Sequence, residues 1–200
     1  MGMFVKTKMG NDIEIRRSWG RKTLYLNGHP QSGSWYRSVW YKLLRKRVGE
    51  NKRILILGLG GGDLVKVIHK ISNRNHIDIV EIEPEMVGVS REYFGLRNES
   101  WINIHIMDAK IYLQNNTSKY DLVIVDLYEG DNIPKFVEGK RFLLNLKMSL
   151  SNDGVVIINY ASHSFDQNDF DKFGRKLHKY FLYVQKLKIW GHTYFVAKDS

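Results

Sequence analysis

The 200-residue chain contains no cysteine. Disulfides, thiolate nucleophiles and cysteine metal sites are excluded, and the absence agrees with a reducing compartment. No apolar run approaches the roughly 20 residues that cross a bilayer, and the start MGMFVKTKMG lacks the apolar stretch of a secretory signal. A cytoplasmic protein with no membrane partner is expected. There is no internal repeat and no low-complexity tract. The seven histidines form neither an H-E-x-x-H motif nor a close pair, so no metal is expected. Without a G-x-S-x-G elbow, an acyl-transfer triad has no support. Acid is scarce near the start: residues 1–50 hold eleven Lys and Arg against three Asp and Glu, which is +8 of the net +10. Such a face would attract nucleic acid or an acidic partner, or simply keep a small protein soluble.

What is present suits one domain with a real core, since 43% of residues are hydrophobic and 12% aromatic. From Asn51 onward, short β-branched runs alternate with helical stretches. Ile54–Leu57, Ile77–Ile82, Ile102–Ile106, Leu122–Val125 and Val155–Ile158 read as core strands, and 64–71, 86–94, 109–114 and 142–150 as helices between them. This alternation predicts an α/β, doubly wound, mostly parallel Rossmann-like sheet. Phe181–Leu187 and Thr193–Ala197, around the turn Ile189-Trp190-Gly191-His192, predict an antiparallel finish. Residues 1–50 read as a short β cap and a basic helix: a hairpin of Ile13–Arg17 and Lys22–Leu26, then a helix over Trp35–Arg47. Residues 51–200 are the nucleotide-binding part. The basic stretch Phe170–Tyr180 reads as a solvated amphipathic helix.

The run ILILGLGGGD, residues 54–63, is a strand, a glycine turn and a helix start. Gly58, Gly60, Gly61 and Gly62 let a ligand press against backbone, which signals a nucleotide. A dinucleotide fingerprint would need glycine at position 63, where Asp63 stands, so a nicotinamide cofactor loses ground. Glu81 ends the next strand, twenty-three residues after Gly58, where a carboxylate accepts both ribose hydroxyls. Glu83, followed by Pro84, opens the following helix. Asp108 ends the third strand, as an adenine ligand, as a helix N-cap, or as both. Asp126 ends the fourth, so three acids converge on one crevice.

These features, taken in order, resemble the spermidine synthase family, the polyamine aminopropyltransferases, on a class I methyltransferase-like fold. The resemblance covers nearly the whole chain. Its marks are Leu24-Tyr25-Leu26-Asn27-Gly28 followed by Gln31, then ILILGLGGGD, IVEIEP with Tyr93-Phe94 ahead, Asp108-Ala109, YDLVIVD ending at Asp126, and DGVVIINY. It implies a transferase using S-adenosylmethionine or its decarboxylated form as cosubstrate. Glu81 would bind the ribose, Asp108 with Ala109 the adenine, and Gln31 the cosubstrate from the cap. Asp126 would be the catalytic acid that holds and deprotonates the attacking amine. The acceptor would be a small molecule of polyamine type, and the resemblance also suggests a homodimer.

Several positions depart from the family pattern. Gly61 stands where the family carries an aspartate for the donor's aminopropyl ammonium, and its small size would leave space for the carboxylate of intact S-adenosylmethionine. The family's Asp-Ser-(Ser/Thr)-Asp-Pro is replaced by Asp126-Leu127-Tyr128-Glu129-Gly130, with Glu129 or Asp131 in place of the second acid. Tyr128 and Glu129 are the substrate-side candidates there. Ser32-Gly33-Ser34-Trp35-Tyr36 replaces an acidic pair in the cap, leaving Tyr36 and Tyr41 as candidate pocket walls. Methyl transfer to an unknown acceptor is therefore the rival of aminopropyl transfer. A non-catalytic module holding nucleotide or nucleic acid on the basic face is the third reading.

Overall fold

The computed structural model describes residues 3–130, 132–160 and 166–199. The alternating N-terminal segment forms a four-stranded antiparallel sheet of β1 (Met3–Lys6), β2 (Asp12–Ser18), β3 (Arg21–Leu26) and the two-residue β4 (His29–Pro30). The expected hairpin is thus β2–β3, extended by an unforeseen strand on each side. Its turn residues Trp19 and Gly20 both have positive φ (50° and 72°), as do Asn27 and Gly28 (49° and 82°), so the two turns match the right-handed twist of the strands. Helix α1 (Ser34–Leu44) follows, with Val39, Trp40, Leu43 and Leu44 buried along one side.

The remainder alternates as the sequence predicts. The elements are β5 (Arg53–Leu57), α2 (Asp63–Ile71), β6 (His76–Glu81), α3 (Pro84–Phe94), β7 (Ile102–Ile106), α4 (Ala109–Asn115), β8 (Tyr120–Val125), a 3-10 turn (Lys135–Glu138), α5 (Lys140–Met148), β9 (Leu150–Asn159), α6 (Gln167–Leu177), β10 (Tyr183–Ile189) and β11 (His192–Lys198). They build a seven-stranded sheet in the order β10-β11-β9-β8-β5-β6-β7. β5 to β9 run parallel, and β11 and β10 close one edge antiparallel. The helical stretch expected over 142–150 stops at Met148, because Leu150 pairs with Tyr120 and opens β9.

Alternation across the pleat sorts the apolar residues. Ile54, Ile56, Ile77, Ile79, Leu122 and Ile124 face α1, α2 and α3. Leu55, Leu57, Val123, Val125, Val156 and Ile158 face α4, α5 and α6. Burying each such side chain contributes about 1.5–3 kcal/mol, which is why a strand covered on both faces is apolar at nearly every position. Helix α1 belongs to the same core through Trp40 and Leu44. The cap sheet is seated through a smaller cluster in which Ile13, Ile15 and Leu24 meet Met86 and Val89 of α3. Helix α6 opens with an Asp166–Asp169 capping box and buries Phe173 and Leu177. No helix of the described residues is long and apolar enough to cross a membrane.

The chain runs outward from β5 to β6 and β7, then returns across β5 to lay down β8 and β9. The C-terminal ends of β5 and β8 therefore flank a topological switch point, where open α/β sheets hold their ligands.

Candidate active site

A crevice of about 550 Å³ opens above that switch point, within the roughly 300–1,000 Å³ typical of small-molecule sites. Gly58 and Gly60 form its floor. Gly58 has φ +95°, and a Cβ there would lie 2.2 Å from the Asp126 carbonyl oxygen. Only glycine lets β5 leave the sheet this close to the end of β8. The cap's Gln31 comes nearest to Gly60, whose φ is +51° and whose missing Cβ would face the Gln31 carbonyl at 3.2 Å. Gly61 and Gly62 do not reach the crevice. Gly62 caps α2 in the left-handed conformation. A Cβ at Gly61 would stand 2.7 Å from the Ser32 Cβ and 3.4 Å from the Phe94 ring. This corrects the sequence expectation: the room beside Gly61 is filled by the buried Ser32, not left free for a donor carboxylate.

Glu81, at the end of β6, is buried with one oxygen accepting from the Leu59 N–H at 2.9 Å and the other from the Glu83 N–H at 3.0 Å. Burial pushes its carboxyl above the usual range and the backbone bonds pull it back. The carboxylate lines the crevice, and a carboxylate's two oxygens can accept more bonds than the two described. Asp108 lines the same wall and also caps α4, accepting from the Lys110 N–H at 2.7 Å and pairing with the Lys110 ammonium at 3.3 Å. Ala109 is buried beside it.

Glu83 does more than open α3. Only 3% exposed, it accepts from Thr7 Oγ1 at 3.0 Å and Asn11 Nδ2 at 2.5 Å, which fastens the β1–β2 connection over the crevice. Its second oxygen is buried without a hydrogen-bond partner among the described residues. Among the described residues five carboxylates, Glu81, Glu83, Asp108, Asp126 and Glu129, line the crevice against one lysine, Lys110. A chain of net charge +10 has concentrated acid in this crevice.

Asp126, part-buried just past β8, receives the Tyr36 hydroxyl at 3.0 Å and the Asn159 amide at 2.9 Å, and the same amide also donates to the Tyr36 oxygen at 3.0 Å. Burial pushes the Asp126 carboxyl up to about 6; the Asn159 and Tyr36 bonds oppose the rise, and the nearby Asp63 adds to it. Burial and the adjacent Asp126 hold the Tyr36 phenol well above its ordinary value, so it remains a donor. Asn159 ends β9 within DGVVIINY, and sequence reasoning gave it no role. A polar residue closing an otherwise apolar strand was the available signal.

Asp63 was also overlooked. Buried at the start of α2, it accepts from the Gly33 N–H at 2.9 Å and the Arg37 guanidinium at 2.8 Å. It thereby fixes the first turn of α1, and with it Tyr36, to the glycine loop. Tyr128 and Glu129 line the outer part of the crevice, while Asp131 lies outside the described residues. Tyr41 does not line the crevice. Five positions beyond Tyr36 it projects about 140° around α1, exposed, with the Lys70 ammonium 5.4 Å from its ring. Among the described residues no three His, Asp or Glu side chains group as metal ligands would.

Over residues 41–195 the chain matches the spermine/spermidine synthase domain. It belongs to that family. A polyamine aminopropyltransferase of Vibrio vulnificus is 34% identical over 116 residues, 56% of this chain and 39% of that protein. An eEF1A lysine and N-terminal methyltransferase of Mus musculus is 30% identical over 146 residues, 68% of this chain and 21% of the relative. The chain thus spans well under half the length of these relatives. In fold it is similar to a probable spermidine synthase from Corynebacterium glutamicum, with a TM-score of 0.86 at 17% identity over 100% of this chain and 81% of that one. Family membership places the glycine loop, Glu81, Asp108 and Asp126 in one matched segment.

Proposed function

We propose that the crevice binds S-adenosylmethionine or its decarboxylated form and that the chain transfers the donor's aminopropyl group to a small amine acceptor of polyamine type. The observation that carries this reading is Asp126, pinned by Tyr36 and Asn159 within an acid-lined hollow and poised near 6. A carboxylate with that value is ionised at neutral pH yet basic enough to take a proton. The donor set fits the group: Glu81 and Asp108 offer acceptors for ribose and adenine, Gln31 closes over them from the cap, and the unpartnered oxygen of Glu83 favours a cation. When bound, a sulfonium donor supplies an electrophilic carbon next to a positively charged sulfur. Asp126 then accepts the proton that the acceptor nitrogen releases as it forms its bond to that carbon, and the electron pair of the broken carbon–sulfur bond stays on sulfur. Tyr36 and Asn159 hold the Asp126 carboxylate in one orientation, and Asp63 positions Tyr36 through α1.

Methyl transfer is the second reading. It is favoured by the likeness to the eEF1A methyltransferase over 68% of this chain and by the neutral Ser32, which occupies the side of Gly61 where the family places an ammonium-binding acid. Calorimetry of the full chain with S-adenosylmethionine, its decarboxylated form and methylthioadenosine, followed by mass analysis of products, separates the two. Aminopropyl transfer requires binding of the decarboxylated donor and release of methylthioadenosine. Release of S-adenosylhomocysteine instead establishes methyl transfer, and failure of every adenosyl compound to bind ends both.

A further inference from the structure

A second hollow, of about 580 Å³, lies between the tip of the β2–β3 hairpin, the first turn of α1 and the exposed side of α2. No residue lines both it and the acidic crevice. Its chemistry is opposite: Arg21, Lys22, Arg37 and Lys66 line it, and among the described residues no Asp or Glu does. Two of these cations already have work. Arg37 pairs with the buried Asp63 at 2.8 Å, and the Lys22 ammonium donates to the Tyr93 carbonyl at 3.0 Å. Arg21 and Lys66 have no carboxylate within ion-pairing distance among the described residues. Lys66 stands half-buried, 5.7 Å from the Phe94 ring centroid, and burial together with Arg37 depresses its ammonium while Asp63 opposes the fall. A cation kept partly from water and beside other cations is held against its own solvation unless an anion joins it.

We propose that this cleft is a binding site for a phosphate-bearing ligand, with Arg21 and Lys66 as its principal contacts. Among the described residues only Arg37 of the four cations has a carboxylate partner, the Lys22 bond being to a neutral carbonyl, so the cleft keeps a net positive charge that a phosphate monoester, near −2 at neutral pH, offsets more fully than a single carboxylate would. Arg21 supplies a planar fork suited to two phosphate oxygens, and Lys66 a point charge. The hydroxyl of Ser34 and the ring of Trp35 complete the wall. Trp35 is followed by Tyr36, which donates to Asp126, so an occupant rests against the same helical turn that orients the crevice carboxylate. This site does not depend on the transferase reading.

The test is calorimetric titration of the full chain with inorganic phosphate, pyrophosphate and phosphoserine at constant ionic strength, beside a chloride control. Saturable binding of at least one phosphate compound is expected. Lys66→Met should weaken it about tenfold or more, the loss expected for one charge-assisted hydrogen bond, Arg21→Gln by a similar factor, and Lys66→Arg by much less. Thermal melting of each variant checks the fold, and methylthioadenosine affinity checks that the crevice is unaltered. Equal affinity in the wild type and both charge-removing variants, or no binding beyond chloride, overturns the site. Binding seen only with an oligonucleotide, and growing with its length, also overturns it in favour of an extended basic surface.

Discussion

The acidic crevice and the basic cleft sit on opposite sides of Gln31 and Ser32, yet they carry charge of opposite sign and are built differently. The crevice is assembled from the ends of β5, β6 and β8 and the start of α4, so its carboxylates are fixed by the sheet and by backbone N–H groups. The cleft is assembled from a hairpin tip and two helix surfaces, and its cations are long side chains at the edge of solvent. A group held by the sheet keeps a perturbed proton affinity, as Asp126 does; a group on a surface is screened by salt within about 10 Å at moderate ionic strength.

The largest effect expected concerns the crevice. Asp126→Asn should lower turnover by about 10²–10⁴-fold while leaving donor affinity nearly unchanged, read by steady-state kinetics and calorimetry; normal turnover would remove the crevice from the chemistry. In the wild type, kcat/KM should fall as pH drops through about 6. Tyr36→Phe, by removing a bond that favours the ionised form, should move that limb to higher pH. Gly58→Ala ranks next, because its Cβ would meet backbone at a positive φ; a loss of about 3 kcal/mol or more is expected in denaturant unfolding.

A smaller effect follows from the same carboxylate and has the opposite sign. The folded-state value of Asp126 is raised to about 6 from an ordinary 3.8, so the folded protein binds the extra proton between those values and loses stability as pH rises through them. Asp126→Asn should therefore stabilise the protein at neutral pH by roughly 1–3 kcal/mol, with the gain vanishing below about pH 4; urea unfolding at the two pH values reads it. Smallest of all, Tyr41→Ala should leave donor affinity and turnover within about twofold, since surface changes away from a site are near neutral. A large change would move the acceptor's path to the far side of α1.

Much of the sheet was legible in the sequence, because runs such as Ile54–Leu57 and Leu122–Val125 are apolar on both faces and only a doubly covered strand needs that. Glu81, Asp108 and Asp126 were legible for a related reason: an acid directly after such a run stands at the strand's end. Tyr41 was misplaced because aromatic character says nothing of direction around a helix. Asn159, Glu83 and Asp63 were given no site role because their partners, Tyr36 and Asp126, Thr7 and Asn11, Gly33 and Arg37, lie 26 to 123 positions away. Strand β1, one of the two strands added to the hairpin, gains its pairing from β2 rather than from its own pattern.

By itself the sequence determined the alternation of strands and helices from residue 51 onward, the glycine turn and the sign of charge along the chain, since each depends on neighbours within a few residues. Tertiary structure alone decided that Ser32 fills the space beside Gly61, that Tyr36 and Asn159 meet on Asp126, and that Arg21 and Lys66 line one hollow with Lys22 and Arg37. Such outcomes depend on which side chains meet when distant segments pack, and that is set by the whole core at once.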